Sequence, residues 1–322
     1  MITGHNILCG VQWLFAAVGI IGNIWVIVTI VRHNAIKRYT NKILFINLAI
    51  ADMGVLLVRN PFFFLSYYFK NRWLFGELTC KILMPLSLIF MPASVLTLVA
   101  ISYSRCRAVV NVRQLKDLST REIWYIVVFI WAFVLAFYPI IEIPVRRVNE
   151  TAETCYMDIS LSVSYILYGF EDFYFAISFV VIIVMFIRMR RSLLDFAKVY
   201  SDLAEVKGLM QNMKALKLLW PVVVVLFVTM IPMVIVRTWI WVEVIIKTDE
   251  IPMLISHIID ILLITNSAVN PFIYIIVSTE FRRRILQIPC VRVLRDLWLK
   301  TRPRNLPDNT LFESNDIHEA NV

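Results

Sequence analysis

Long runs of apolar residues alternate with short polar segments along the whole chain. Seven of the runs are long enough to cross a bilayer as helices, and they occupy residues 11–33, 42–68, 77–107, 122–144, 161–189, 213–242 and 253–277. A helix rises about 1.5 Å per residue, so about 20 residues cross roughly 30 Å of hydrocarbon. The pattern predicts an all-α, seven-transmembrane helix bundle. A shorter amphipathic run, residues 278–289, predicts an eighth helix lying along the membrane.

The composition agrees with a polytopic membrane protein. Hydrophobic residues make up 60% of the chain and the mean hydropathy is +0.75. We divide the chain into a short extracellular N-terminus (1–10), a seven-helix domain that includes the amphipathic run (11–290) and a polar tail (291–322). The tail ends in several acidic residues and is predicted to be disordered. The four histidines are scattered and no nucleophile–base pair has a recognisable spacing, so we do not expect an enzyme.

The basic residues predict the orientation. If the N-terminus is outside, 24 of the 32 lysines and arginines fall on the cytoplasmic side. The excess of positive charge inside is the known rule for helical membrane proteins. We therefore expect a multi-pass plasma-membrane protein with its N-terminus outside. The net charge of +9 is explained by topology, so nucleic acid is not an expected partner.

Polar residues within the spans are the main functional clue. Asp52 lies inside the second span, and the seventh contains Asn270, Pro271 and Tyr274. A carboxylate in mid-membrane costs about 3 kcal/mol or more to insert, so it is a functional-site hypothesis by default.

Cysteines and a glycosylation sequon fit the same topology. Cys80 begins the third span and Cys155 lies in the next outer loop, so both are on the oxidising side. A disulfide between them would tie that loop, which is long enough for a hairpin lid, to the third helix. We expect Cys9, Cys106 and Cys290 to lie outside any disulfide. Asn149 begins a sequon in the same outer loop.

Landmark residues then occur in a fixed order. Cys80 and Arg105 are separated by a rise of about 37 Å, which is enough to put one near each membrane surface. The other landmarks are Gly22-Asn23, the run 48–52 ending in Asp52, the run 73–76 (Trp-Leu-Phe-Gly), Trp131, Pro232 and the run 270–274. This set resembles the rhodopsin-like (class A) G-protein-coupled receptors over residues 15–290. The chain resembles most the neuropeptide receptors of that family, and its departures from the family pattern suggest a divergent member or an orphan receptor.

The resemblance implies a sodium site at Asp52. In that family the buried aspartate binds a sodium ion as an allosteric ligand rather than as a cofactor. Oxygen ligands also suit a hard cation. The alternative is a neutral Asp52 within a hydrogen-bond network without an ion. The expected helpers and network residues are Asn23, Ser94, Asn266, Ser267 and Asn270.

The resemblance also implies an activation switch. Arg105 would face the heterotrimeric G protein, and Tyr274 would swing inward on activation. Pro232 and Pro271 would supply kinks about which helices pivot, the alternative being static bends.

Two switch positions depart from the family. The acidic neighbour of Arg105 is replaced by Ser104, and Met230 stands where most relatives carry tryptophan. We therefore hypothesise raised basal activity. An altered coupling route or a non-signalling receptor is the alternative.

Charged residues near the outer ends are candidates for ligand binding. An amine receptor would carry an aspartate at Ser87, and an opsin a lysine at Ile264, so neither ligand class is expected. Arginines together with carboxylates suit a neuropeptide-like ligand. The alternatives are a lipid acid as the ligand, or pairing of these residues with one another. The candidates are Arg59, Ser87, Glu142, Glu171, Arg237, His257 and Asp260.

Three further interpretations concern the tail and a competing function. Cys290 is placed for palmitoylation, although a plain thiol is the alternative. Thr310 and Ser314 would bind arrestin after phosphorylation, although a merely solubilising tail is the alternative. An ion-coupled secondary transporter using Asp52 and Asp260 is the competing function, which the lack of an internal repeat disfavours.

Overall fold

The computed structural model describes residues 2–33, 39–69, 72–110, 118–149, 153–199, 220–236 without 222 and 233, 253–277, 281 and 283. Of these residues, six helices are long and apolar enough to cross a membrane: Ile7–Arg32, Lys42–Leu65, Gly76–Val110, Thr120–Glu142, Gly169–Asp195 and Ile258–Ile276. The predicted sixth span appears as a shorter apolar helix, Val223–Val236. The predicted all-α membrane bundle is confirmed.

The first and fifth helices extend beyond the apolar runs that predicted them, whereas the seventh coincides with its run and the fourth is shifted by two residues. The first helix is Ile2–His33, the fourth Thr120–Glu142, the fifth Leu161–Val199 and the seventh Met253–Val277. An apolar run marks the part that meets hydrocarbon, whereas backbone hydrogen bonding continues through adjoining polar residues. The predicted N-terminal segment 1–10 is accordingly helical from Ile2. The fifth helix runs unbroken for 39 residues, as its lack of proline predicts.

The second and third helices are each interrupted near prolines. The second consists of Tyr39–Gly54, a π-helical turn Val55–Arg59 and Asn60–Tyr68. The third consists of Gly76–Leu78, a π-helical turn Thr79–Leu83, Met84–Leu88 and Phe90–Val110.

A missing backbone donor explains where the π turns lie. Pro61 and Pro85 each follow a π turn by two residues, and Pro92 follows the break at Ile89 by three. Proline removes one backbone hydrogen bond and clashes with the carbonyl four residues earlier. A wider turn relieves that clash. The apolar runs 42–68 and 77–107 did not predict these interruptions.

Glycines bring the first and seventh helices close together. A Cβ on Gly19 would lie 2.8 Å from the Cα of Ala268, and a Cβ on Gly22 would lie 2.9 Å from Pro271. Both distances are below normal contact, so only glycine fits. Small residues of this kind allow close helix packing where lipid provides no hydrophobic drive for association.

The fourth helix is fixed at its inner end by polar contacts. Ser119 and Glu122 form a capping box, in which each side chain accepts a hydrogen bond from the other residue's backbone N–H. Arg107 of the third helix also donates to Glu122 at 3.2 Å. The inner ends of the third and fourth helices are therefore tied together.

A hairpin lies between the fourth and fifth helices, at the end of the bundle that carries Cys80. Strand β1 (Arg146–Asn149) pairs antiparallel with strand β2 (Thr154–Met157), and Cys155 lies opposite Val148. A disulfide joins Cys155 to Cys80, with the two Cα atoms 5.8 Å apart. The predicted hairpin lid and disulfide are both confirmed. Cys106 remains a thiol, as predicted.

Candidate functional site

Asp52 is at the centre of a polar network inside the bundle. It is completely buried on the second helix. The Ser94 hydroxyl of the third helix donates to one carboxylate oxygen at 2.8 Å, and the Asn270 amide of the seventh donates to the other at 2.8 Å. Because each carboxylate oxygen has a partner on a different helix, one side chain joins three helices.

Asn23 adds the first helix to this centre. Its amide donates to the backbone carbonyls of Gly19 at 2.9 Å and Ser267 at 3.1 Å. Asn266 and Ser267 are buried on the seventh helix beside it. The six residues predicted from sequence as the sodium network therefore lie on four helices, and hydrogen bonds join the first helix to the seventh and the second to the third and seventh.

The donor set of this centre fits a small hard cation. Hydroxyl, amide and carboxylate oxygens are the ligands that such cations prefer. Among the described residues, no lysine or arginine forms an ion pair with Asp52. Neutral donors only partly compensate a buried carboxylate, so a cation has an electrostatic reason to bind there.

Tyr274 lies one turn beyond Asn270 in a buried aromatic cluster. Its ring centroid is 5.2 Å from that of Phe45 and 5.9 Å from that of Phe281. The Tyr274 hydroxyl is buried and makes no hydrogen bond to the described residues. A buried hydroxyl left this way costs about 1–3 kcal/mol.

The predicted eighth helix is described only at two residues. Phe281 and Arg283 are helical, and the buried Phe281 ring packs 5.7 Å from Trp25. Position 281 therefore lies against the first and seventh helices. The remainder of that predicted helix falls outside the described residues.

The other switch positions lie on the third, sixth and seventh helices. Ser104 and Cys106 are buried on either side of the half-buried Arg105. Met230 is buried on the sixth helix, where it lines an apolar cavity of about 230 Å³ with Val95 and Phe179. A flexible thioether thus occupies a space between the third, fifth and sixth helices.

Pro232 and Pro271 lie within helical segments. Pro271 is inside the seventh helix, and Pro232 is a helical residue of the sixth. Pro271 also packs on Gly22 of the first helix. Their role as pivots stays a prediction.

Two of the predicted ligand residues pair with each other. The Arg59 guanidinium donates to Asp260 at 3.1 Å, which joins the second helix to the seventh. The side chains are only 9% and 4% exposed. The guanidinium carbon also lies 4.0 Å from the centroid of the Phe63 ring. This is the pairing alternative stated for the charged residues, and it holds for this pair.

A second charged group lies at the outer ends of the fourth and fifth helices. Arg146 of β1 donates to Glu142, and both side chains are about nine-tenths buried. Tyr138 donates to Glu171 at 2.9 Å. Glu142 and Glu171 repel each other electrostatically. Glu142 is therefore paired with Arg146, and Glu171 accepts a hydrogen bond from Tyr138 beside it.

The remaining predicted ligand residues are placed less fully. Ser87 is buried and donates to the backbone carbonyl of Met84 at 2.7 Å. His257 belongs to the seventh helix, but its side chain is outside what the structure describes, as are Arg237 and Cys290. Asn149 is exposed at the end of β1, which is compatible with the predicted glycosylation.

Sequence reasoning missed a polar pair at the outer end of the first helix. Gln12 donates to Asn60 at 2.7 Å, and both are buried. The other polar atom of each amide has no hydrogen-bond partner among the described residues. Their position within predicted spans was the available clue, because an amide in hydrocarbon needs a partner.

Comparison with known proteins adds a family and several relatives. Residues 22–274 match the family model described as 7 transmembrane receptor (rhodopsin family). Neuropeptide receptor 15 of Caenorhabditis elegans is 26% identical over 306 residues, covering 85% of this chain and 87% of that protein. Melanopsin of Rutilus rutilus is 30% identical over 132 residues, covering 41% of this chain and 26% of that protein. Neuropeptide Y receptor type 1 of Xenopus laevis is 29% identical over 118 residues, with 37% and 31% covered.

Proposed function

We propose that this chain, which belongs to the rhodopsin family of seven-transmembrane receptors, is a plasma-membrane receptor that transmits the binding of an extracellular peptide to heterotrimeric G proteins. The family is one of receptors rather than enzymes. The observation that carries the proposal is the Asp52–Ser94–Asn270 network. It links three helices within the membrane, so a displacement of one helix changes its hydrogen bonds to the other two.

Two observations favour a peptide over other ligands. Neuropeptide receptor 15 matches this chain along nearly the full length of both proteins. Glu142 contacts Arg146 of the hairpin, and Glu171 contacts Tyr138 one turn away on the fourth helix. We propose that these two carboxylates receive a basic side chain of the peptide, since charge-assisted hydrogen bonds are stronger than neutral ones.

Residue identity argues against two other ligand classes. Ser87 provides a hydroxyl where an amine receptor needs a carboxylate, and its hydrogen is already donated to Met84. Ile264 is completely buried and carries no amine, so no Schiff base to a retinal chromophore forms there. A lipid acid, which needs a cation, is disfavoured at Arg59 because Asp260 already neutralises that guanidinium.

We propose a sodium site at Asp52. Asp52 and Ser94 would hold the ion through oxygen atoms, with Ser267 and Asn270 beside them. When bound, sodium supplies the positive charge that the neutral donors around Asp52 lack. The ion would favour the arrangement in which the second, third and seventh helices are close together.

Activation then involves residues nearer the inner surface. A rearrangement that gives the Tyr274 hydroxyl a hydrogen-bond partner gains about 1–3 kcal/mol. We propose that Tyr274 moves inward on activation and that Arg105 contacts the G protein. Because Ser104 cannot supply the carboxylate common at this position, we propose raised basal signalling. Phosphorylation at Thr310 and Ser314, outside the described residues, would recruit arrestin.

The proposal is tested by expressing the full chain in cells with G-protein dissociation reporters. The probe is a library of amidated and free peptides with basic residues, with long-chain fatty acids as the competing class. A responding peptide should lose about tenfold or more in potency on the Glu171→Gln substitution. It should keep its binding but lose its response on Arg105→Ala.

Three outcomes would count against this function. A response to fatty acids alone would replace the peptide by a lipid acid. Unchanged peptide potency in Glu171→Gln would remove the acidic group as its contact. If neither ligand class nor the unliganded receptor activates any G protein, the receptor does not signal by this route.

A further inference from the structure

Two pairs of aromatic rings join the fifth and sixth helices. The ring centroids of Phe179 and Phe227 are 4.4 Å apart, and those of Phe186 and Trp220 are 5.0 Å apart. The two phenylalanines of the fifth helix are seven residues apart, as are Trp220 and Phe227, and the order is reversed between the helices. Because seven residues make about two helical turns, both pairs lie along one line between antiparallel helices. We call this line the 5–6 seam, and Phe186–Trp220 its inner pair.

Packing is incomplete on the outer side of this seam. An apolar cavity of about 230 Å³ adjoins Phe179 and is lined on the sixth helix by Leu226 and Met230. Side chains that border an empty space lose their contacts on that side. Thr229, the only hydroxyl residue in the range 220–236, donates to a backbone carbonyl of its own helix at 2.8 Å. The attachment of the described sixth helix to the fifth therefore depends mainly on the two ring pairs.

The inner pair is the one that separates more easily. Trp220 is 52% exposed on the side of the bundle, against 41% for Phe227, and Phe186 is half-buried. In a membrane-spanning chain such a surface meets lipid, and tryptophan is enriched where hydrocarbon meets the headgroups. When the two rings move apart, acyl chains take the place of each ring and no apolar surface meets water. Separation therefore costs the ring–ring attraction and little hydrophobic free energy.

We propose that the inner pair restrains the resting receptor: while Phe186 and Trp220 are in contact, the inner end of the sixth helix stays against the fifth, and their separation releases it. The inference rests on the proposed function and orientation, in which this end of the bundle faces the G protein. Ser104 carries no carboxylate that could restrain Arg105. An aromatic contact between the fifth and sixth helices thus supplies a restraint that involves no charge, and the strength of that contact sets the unliganded activity.

Basal signalling of the full chain in cells tests the restraint. Trp220→Ala should raise unliganded G-protein activation about fivefold, which is the attraction of one ring pair, about 1 kcal/mol, expressed as an equilibrium constant. Trp220→Phe keeps an aromatic ring and should raise it by less than about twofold. Trp124→Ala is the matched control, because Trp124 is 49% exposed near the inner end of the fourth helix and has no ring contact with a described residue. It should leave basal signalling unchanged.

The spacing of the two helices is measured without a peptide or a G protein. Spin labels on keto-bearing phenylalanine analogues are introduced at Ile187 and Val224, whose side chains are 41% and 38% exposed. Double electron–electron resonance then gives the distance distribution in the purified full chain. Trp220→Ala should raise the longer-distance population about fivefold, and Phe186→Leu should do the same from the other helix. Trp124→Ala should leave the distribution unchanged. The melting temperature of each variant separates release of the helix from loss of the fold.

The proposal is overturned by any of three results. One is a distance distribution that Trp220→Ala and Phe186→Leu both leave unchanged, and another is an equal change in Trp124→Ala. The third is a longer distance with no rise in basal signalling, in a receptor that still responds to a peptide of the library described above. A longer distance in a receptor that activates no G protein under any condition would instead support the inner pair and reject the proposed signalling.

Discussion

Breaking the Arg59–Asp260 pair should destabilise the bundle far more than breaking an exposed pair. Asp260→Asn leaves a guanidinium that is 9% exposed without its carboxylate. Removing one partner of a buried pair costs about 3–5 kcal/mol, because the remaining charge stays buried. For a chain of this size, at about 2 °C per kcal/mol, the melting temperature should fall by about 6–10 °C.

The chain contains its own control for this prediction. Arg72 and Glu153 form an ion pair at 3.5 Å, but their side chains are 67% and 47% exposed. Exposed pairs contribute about 0–1 kcal/mol. Glu153→Gln should therefore lower the melting temperature by about 2 °C or less. Comparing the two substitutions separates burial from the mere presence of an ion pair.

A double substitution distinguishes the effect of losing the ion pair from the effect of leaving a buried charge without its partner. Asp260→Leu with Arg59→Met replaces both charges by apolar groups, and such replacements are often neutral. We expect the double variant to recover most of the stability that Asp260→Asn loses, except for about 1 kcal/mol from the lost contact between Arg59 and the Phe63 ring. The assay is thermal unfolding of the purified receptor, followed with a dye that reacts with exposed thiols. A double variant no more stable than Asp260→Asn would refute the reasoning.

Three other substitutions test separate parts of the molecule. Gly19→Ala should lower the free energy of unfolding by about 1–3 kcal/mol, because the new methyl overlaps the Ala268 backbone. Gly10→Ala is the control and should not destabilise the protein, because nothing lies within 4 Å of the added methyl. An equal loss of stability in both variants would contradict the packing argument. Sodium chloride should shift agonist affinity about fivefold or more relative to potassium chloride at equal ionic strength, and Asp52→Asn should abolish that shift. Persistence of the sodium effect in the variant would place the ion elsewhere. Ser104→Asp should lower basal G-protein activation several-fold while Ser104→Ala leaves it unchanged; the same effect from both would mean that charge is not the cause.

The sequence was informative wherever a feature is local. Each apolar run predicted a helix, because hydrocarbon leaves the backbone no alternative partner. Cys80 and Cys155 were found from their side of the membrane alone. Asp52 and Asn270 stood out because polar groups are costly in lipid. These predictions needed only the chain's own order of residues.

Features that depend on packing were not predictable in the same way. Arg59 and Asp260 are 201 residues apart, so a charge count left both pairing and ligand binding open. The π turns depend on how the helix geometry adjusts to Pro61 and Pro85. An apolar run in the sequence gives no information about that adjustment. Asn47 was overlooked for the same reason, since its partners Thr97 and Trp131 are brought together only by the bundle.

The second helix takes part in several of the polar contacts that join the helices of the bundle. Asn47 bonds the third and fourth helices, Asp52 bonds the third and seventh, and Arg59 bonds the seventh. The described part of the sixth helix takes no part in these contacts and meets the fifth through apolar rings such as Phe179 and Phe227. Apolar contacts are not directional, so one helix slides past another without breaking hydrogen bonds. Movement of the described part of the sixth helix, which carries Met230, would therefore leave these hydrogen bonds of the second helix intact.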